Sequence, residues 1–392
     1  MSEKTEKGGL LVLFISIFLV GVGFSIIMPV LPYYAESLGA NAFQLGLLIT
    51  VYAICQFIFA PIWGTYSDRL GRKPVLLMGI VGFAVTFILF AFATKLWQLY
   101  LIRIAGGIMS CATMPTAMAY VADTTSIENR GKSMGLIGAA MGIGMIFGPA
   151  IGGLLSEVSL GFPFLFSGLL ALVNSVGVLL ILKESLPEEN RIYRRIQRVS
   201  LLAGLKTPLA LLFVFMLLAS TGEAIHHGTF ALFTGAKLGF TARDIGWSFT
   251  AAGVASTLVQ GMLVGRFINR VGEEKTALTG ITLMGLSFVL FIFTFDVPSS
   301  IVFMFVFAAG VGLMRPSISS AVSKRAESGQ GFSMGVLQGY DSLGRAIGPA
   351  LGGFMLDMGL NLGYLTAISI SVLAIVTMVV GSRSKVKLAS QG

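Results

Sequence analysis

Seven ionisable side chains in this 392-residue sequence lie deep inside long apolar stretches. They are the arginines Arg103, Arg315 and Arg345, the carboxylates Glu223 and Asp341, and the only two histidines, His226 and His227. Charge in an apolar setting is costly and tends to mark a path for ions or substrate. At helical spacing Glu223 reaches His226 at i,i+3 and His227 at i,i+4, which puts an acid and an imidazole on one face. Asp341 and Arg345 form a second i,i+4 pair, about 15 Å along a helix that begins near residue 331. No Lys or Arg stands in the apolar stretch around Glu223, so nothing in its own helix would neutralise it. Glu223 is therefore the favoured proton carrier, with Asp341 and His226 as coupling partners. Arg103, Glu223, Arg315 and Arg345 are the candidates for meeting a substrate. Two blander readings stand beside these: Asp341–Arg345 as a neutralised structural pair, and both histidines at a watery helix end. One Glu and two adjacent His are too few ligands for a metal, so none is expected.

These residues need elements to hold them, and composition says which. Hydrophobic residues make up 55% of the chain and charged residues 11%, against roughly 25% charged in soluble proteins. Mean hydropathy is +0.87. A water-soluble surface, a disordered chain and a disulfide scaffold are all excluded; Cys55 and Cys111 sit in apolar runs as small hydrophobes. With about 20 apolar residues per span, the candidates are 9–34, 44–64, 74–93, 97–122, 132–155, 162–183, 208–235, 243–265, 276–295, 300–323, 331–356 and 362–382. The prediction is an all-α integral membrane protein with twelve transmembrane helices in two six-helix bundles. Residues 1–183 form the first bundle, 184–207 a cytoplasmic linker and 208–392 the second bundle. Of the 27 Lys and Arg, twenty-one fall on the side shared by both termini and three on the other, which predicts cytoplasmic termini. The net charge of +9 is thereby a topology signal, and no nucleic-acid partner is needed to account for it.

The two halves echo each other. A shift of 200 positions aligns Gly131–Leu155 with Gly331–Met355, with ten of twenty-five residues identical, including Gly144/Gly344, Gly148/Gly348, Pro149/Pro349, Gly152/Gly352 and Gly153/Gly353. One residue off that register, GTYSDRLG from Gly64 matches GRFINRVG from Gly265. Two six-span repeats related by an axis along the membrane normal are a transporter plan, with the substrate held near the midplane.

Gly64–Pro74 reads as a basic loop between spans 2 and 3, with Pro74 at the first helical position. Asp68 is placed to meet either a helix N-terminus or a neighbouring arginine. Gly144, Gly148 and Gly152 recur every four residues and line one face that lets another backbone approach closely. GTYSDRLGRKP resembles the signature loop of the major facilitator superfamily, LIRIAGG around Arg103 its span-4 arginine motif, and GMIFGPAIGG from Gly144 the span-5 motif of its drug:proton antiporters. IIMPVLP, LYLIR and ADTTS are similar to segments of tetracycline and multidrug efflux pumps.

The resemblance implies a monomer in the bacterial inner membrane, driven by the proton gradient without a cofactor. It implies a cytoplasmic gate at Gly64, Asp68, Arg69, Gly71 and Arg72. The antiporter motif Gly144, Gly148, Pro149, Gly152 and Gly153 would pack across the two halves. The expected activity is proton-coupled export of lipophilic drugs or metabolites by alternating access, with protons and the lipid bilayer as the other partners. Tetracycline pumps carry acids where this chain has Val20 and Thr86, so a metal-chelated tetracycline is not the expected substrate. Thirty Phe and eighteen Met suit an adaptable cavity for lipophilic or cationic compounds. The alternatives are export of a particular metabolite, siderophore, sugar or lipid, an uptake symporter, and a non-transporting membrane protein. No nucleotide-binding GxxxxGK[ST], HExxH or GxSxG pattern is present, so neither an ATP-driven pump nor an enzyme is expected.

Overall fold

Long apolar runs must satisfy their own backbone in a bilayer, and helices do so within a single segment. The computed structural model describes residues 3–191, 201–326 and 330–389, and all the long elements among them are α-helices. The expected linker residues 192–200 lie outside the described residues.

In chain order the helices are α1 (Glu3–Ser37), α2 (Ala42–Leu70), α3 (Arg72–Ala91), α4 (Leu96–Ser110), α5 (Thr113–Thr124), α6 (Ile127–Leu155) and α7 (Phe162–Ile181). The short α8 (Leu201–Gly204) precedes α9 (Ala210–Leu238), α10 (Ala242–Leu258), α11 (Val264–Val271), α12 (Glu273–Ile292), α13 (Val297–Lys324), α14 (Gln330–Met358) and α15 (Leu362–Ala389). Among the described residues, eleven helical segments are long and apolar enough to cross a membrane. The remaining long helix, α14, has 29 residues and carries Asp341, Arg345 and Asp357.

Three boundaries differ from the sequence reading, each for a local reason. The Gly64–Pro74 segment is hardly a loop: α2 continues through Leu70, α3 starts at Arg72, and Pro74 is the third residue of α3. Gly71 alone makes the corner, at φ +107°, where a side chain would be strained. Its counterpart Gly272 does the same between α11 and α12, at φ +84°. The fourth span breaks between α4 and α5 at Cys111 and Ala112, because Pro115 has no N–H to give the Cys111 carbonyl. In the eighth span a π-helical turn at Val259–Leu263 separates α10 from α11.

The chain forms two compact units. The first comprises Met1–Ala40, Val51–Gln197 and Thr241–Thr250; the second comprises Asn41–Thr50, Arg198–Phe240 and Ala251–Gly392. In the first, Leu13, Ile17, Leu76, Ile80, Val121, Ile137 and Val178 form a closed aliphatic core. In the second, Phe213, Phe215, Phe230, Phe233, Phe288, Phe291 and Tyr364 are fully buried.

Glycines set the closest helix approaches, and the repeat is visible in them. A Cβ added at Gly144 would stand 2.4 Å from the Phe18 carbonyl, and one at Gly148 1.9 Å from Ser25 Oγ, so this face of α6 lies directly on α1. Gly344 and Gly348 meet α9 in the same way, at the carbonyls of Leu217 and Thr221. These contacts correct the expectation that the four-residue glycine face packs across the two halves: it packs within one unit, helix on helix. The adjoining face does the other job. Gly246 sits on the Pro149 carbonyl and Gly153 on Ala242 and Arg243, all in the first unit. Gly46 sits on the Pro349 carbonyl and Gly353 on Ala42 and Phe43, all in the second.

Candidate functional site

In the second unit, α9, α13 and α14 bring four of the charged residues into one cluster. Arg315 reaches from α13 to both carboxylates: its Nε and Nη2 donate to Glu223 Oε2 at 3.0 and 2.8 Å, and its Nη1 lies 2.9 Å from Asp341 Oδ1. Asp341 also accepts from Ser220 Oγ at 2.5 Å, from Arg345 Nε at 3.1 Å and from Arg345 Nη2. Gln338 Nε2 stands 3.4 Å from Asp341 Oδ2. Two carboxylates and two guanidinia balance to zero formal charge, which makes the burial of Asp341, Glu223 and Arg315 tolerable, while the Arg345 side chain is about half exposed.

The two acids are held differently. The Asp341 side chain is 2% exposed with both oxygens saturated, whereas that of Glu223 is 13% exposed and its only ion-pair partner among the described residues is Arg315. The sequence left Glu223 without a cation in its own helix; the cation comes from α13, 92 residues away. Spacing along one helix carries no signal for such a pair.

The histidines divide. His226 points into the aromatic core, with ring centroids 4.3 Å from Phe307 and 4.6 Å from Phe291, and its Nδ1 is 3.2 Å from the Tyr364 hydroxyl. The imidazole in the field of Glu223, Arg315 and Arg345 is that of His227. Four residues advance a helix by about 40° beyond a full turn and three fall about 60° short, on opposite sides of Glu223. The charged cluster lies on the His227 side.

Arg103 stands apart, in the first unit. It is 5% exposed on α4, with its Cζ 5.1 Å from the Tyr52 ring centroid and 5.5 Å from that of Phe90. Its Nε is buried without a hydrogen-bond partner, and no ion pair reaches it among the described residues. Tyr52 is fixed in turn by Ser110 Oγ at 2.9 Å and Gln56 Nε2 at 3.1 Å.

At the α2–α3 corner, Arg72 is the hub. Its Nη1 donates to Asp68 Oδ1 at 2.6 Å and Ser67 Oγ at 2.7 Å, and its Nε to Asp123 Oδ2 at 2.9 Å. Of the two partners expected for Asp68, the neighbouring arginine is the one it meets. The helix N-terminus goes to Glu184, which accepts from the backbone N–H groups of Arg72 at 2.8 Å and Lys73 at 3.1 Å. Sequence reasoning missed Glu184; its one signal is that it opens the polar stretch after span 6. Gly64 has open space around it, and Arg69 lies in the last turn of α2. In the second unit the corner is held with the signs exchanged: Glu273 and Glu274 of α12 pair with Lys324 and Arg325 at the end of α13.

Among the described residues no group of three or more His, Cys, Asp or Glu could hold a metal ion. What the geometry offers is a charge-balanced cluster in one unit and a lone buried cation in the other.

The family model described as Major Facilitator Superfamily matches residues 13–234 and 211–391. Multidrug resistance protein 2 of Bacillus subtilis is 32% identical over 373 residues, covering 93% of each chain. The quinolone resistance protein NorA of Staphylococcus aureus is 28% identical over 381 residues, covering 97% of this chain and 98% of that one. Among solved structures, the nucleoside transporter NupG superposes with a TM-score of 0.81 at 16% identity, over 96% of this chain and 99% of that one. A bacterial homologue of the human lysosomal transporter Spinster gives 0.79 at 14%, over 98% of both. An all-helical, multi-pass chain matched along nearly its whole length in this way is a membrane transporter, not an enzyme, and it belongs to the Major Facilitator Superfamily.

Proposed function

We propose that this protein is a secondary transporter that exports lipophilic drugs or metabolites in exchange for protons, by alternating access. The relatives named for multidrug and quinolone resistance support the export of drugs. Twelve spans in two bundles, 1–183 and 208–392, joined by the linker 184–207 and with both termini in the cytoplasm, complete the proposed topology. The location is a bacterial cytoplasmic membrane, the working unit is a monomer, and no cofactor takes part.

The observation that carries proton coupling is the sharing of Arg315 between Glu223 and Asp341. Asp341 supplies a fixed charge, locked by Ser220, Arg315 and Arg345. Glu223 carries the moving proton. Protonating it takes the cluster from zero to +1 and leaves Arg315 held by Asp341 alone. Those two charge states favour different arrangements of α9 and α13, and a coupled substrate must discriminate between the same two. A proton crossing the membrane field gains about 2.3 kcal/mol per 100 mV, enough to drive uphill export. The corner of Gly64, Asp68, Arg69, Gly71 and Arg72 acts as the cytoplasmic gate, with Glu184 as an added latch. Gly144, Gly148, Pro149, Gly152 and Gly153 keep α6 rigid on α1 and seated against the start of α10.

The test is gradient-driven uptake of lipophilic drugs into everted vesicles, with and without a protonophore. Glu223→Gln is expected to abolish the gradient-driven part while drug binding persists. Protonophore-sensitive uptake at the unaltered rate in that variant would overturn the assignment.

A further inference from the structure

Gly46 and Gly246, which each rest on a proline carbonyl, stand 200 positions apart in the two halves of the sequence. Gly64 and Gly265 stand 201 apart, and so do the corner glycines Gly71 and Gly272. The second half therefore holds one residue more within its second span, which runs 30 residues from Ala242 to Val271 against 29 from Ala42 to Leu70. The π-helical turn at Val259–Leu263 stores that residue. Left unabsorbed, it would turn everything after it by about 100°. Val259 and Val264 are five positions apart, about 140° round an α-helix, yet the π-turn lets both bury with Leu313 of α13.

The result is an eight-residue rod, α11, with a joint at each end. At one end is the π-turn, whose Gln260, Gly261, Met262 and Leu263 are all exposed. At the other is Gly272, at φ +84°. A Cβ added at Gly261, Gly265 or Gly272 would meet nothing within 4 Å. The first half is built the opposite way. There α2 runs unbroken through Pro61 to Leu70, and a Cβ added at Gly71 would stand 2.5 Å from Glu184 Oε2, so its corner is packed. A charged bolt spans the joint in the second half, where Arg266 Nη1 donates to the Met262 carbonyl at 2.7 Å.

We propose that the π-turn is a hinge on which α11 swings against α13 in each transport cycle, with Arg266 bolting the arrangement of this structure. Moving the extra residue along the helix exchanges one i→i+5 bond for one i→i+4 bond at a time, so the turn travels without unwinding the span. The inference rests on the transport reading and gives it a moving part.

The experiment deletes Gly261, which leaves 29 residues in the span and sets Val259 and Val264 four apart, on one face of an α-helix. Hydrogen exchange over residues 258–267 is read on the purified full-length protein, beside ethidium binding in detergent and ethidium transport in everted vesicles. The deletion is expected to slow exchange across the turn and transport turnover by about 10-fold each, with ethidium affinity unchanged. Arg266→Gln removes the bolt and should speed exchange over the same residues. Should the deletion fail to fold, Gly261→Ala with Gly265→Ala stiffens the stretch without a clash and must slow both exchange and turnover. Slowed exchange with turnover at the unaltered rate would overturn the hinge alone. Exchange over 258–267 of the unaltered protein no faster than over 245–254 of the same span would also overturn it. An unaltered protein that exchanges fast at the turn yet moves no ethidium overturns the transport reading, and the hinge's role with it.

Discussion

Replacing Asp341 by asparagine, and comparing the result with Glu223→Gln, tests which carboxylate is structural. The amide would keep the volume but offer one neutral oxygen where Arg315, Arg345 and Ser220 now find a charged pair. Arg345 would lose its only ion-pair partner among the described residues, and Arg315 would keep Glu223 alone. Breaking a buried pair from one side costs about 3–5 kcal/mol. Glu223→Gln removes two bonds from a single guanidinium that Asp341 still holds, a loss of about 1.5–3 kcal/mol. The difference is about 2 kcal/mol, with Asp341→Asn the more damaging. Unfolding in detergent is irreversible, so the measurement is the half-life of monodisperse protein at a fixed elevated temperature. If the difference falls on the unfolding barrier, the half-lives differ by roughly 30-fold. Adding Arg345→Met to Asp341→Asn removes the stranded cation and should recover part of the loss, a non-additivity of about 1 kcal/mol or more. Glu223→Gln decaying as fast as Asp341→Asn, or strict additivity in the cycle, would refute the division of labour.

Other substitutions test the frame. Gly148→Ala forces a Cβ to 1.9 Å from Ser25 Oγ and 2.6 Å from the Val22 carbonyl, and should cost about 1–3 kcal/mol as overpacking. Gly64→Ala, with nothing within 4 Å in a helix interior, should gain about 0.5–1 kcal/mol; melting of both variants in detergent gives opposite signs. Gly71→Ala combines a φ of +107° with a Cβ 2.5 Å from Glu184 Oε2, so it should cost about 1–3 kcal/mol and expose the Arg72 and Lys73 amides to faster hydrogen exchange. Arg72→Lys replaces a fork by a point charge that cannot serve Asp68 and Asp123 together. With Asp68 and Asp123 40% and 25% exposed, the corner should lose only about 1 kcal/mol, while gradient-driven transport falls further.

Sequence periodicity located the helices and the repeat because both are local in register. The same shift that aligns Pro149 with Pro349 also aligns what they touch, Gly246 and Gly46. Periodicity names a face but not the neighbour on it, so the glycines of α6 were legible as a close-packing stripe while their partner α1 was not. Arg315–Glu223 and Glu184–Arg72 escaped for the same reason, being pairs that only tertiary packing brings together. For the histidines both spacings put an imidazole near the acid, and the choice fell to where α13 and α14 lie. The break at Cys111 did have a signal in Pro115, outweighed by the apolar run around it.

Each compact unit takes in ten residues from the opposite half of the sequence, Asn41–Thr50 in one case and Thr241–Thr250 in the other. Cutting the gene at the linker would therefore not yield two self-sufficient folding modules. A first half expressed alone leaves Pro149 and Gly153 of α6 without the α10 segment that covers them, and a second half alone strips Pro349 and Gly353 of α14 likewise. Each fragment should be short-lived by itself and rescued by co-expression of the other. The duplication has become an obligate exchange in which neither copy is whole without its twin.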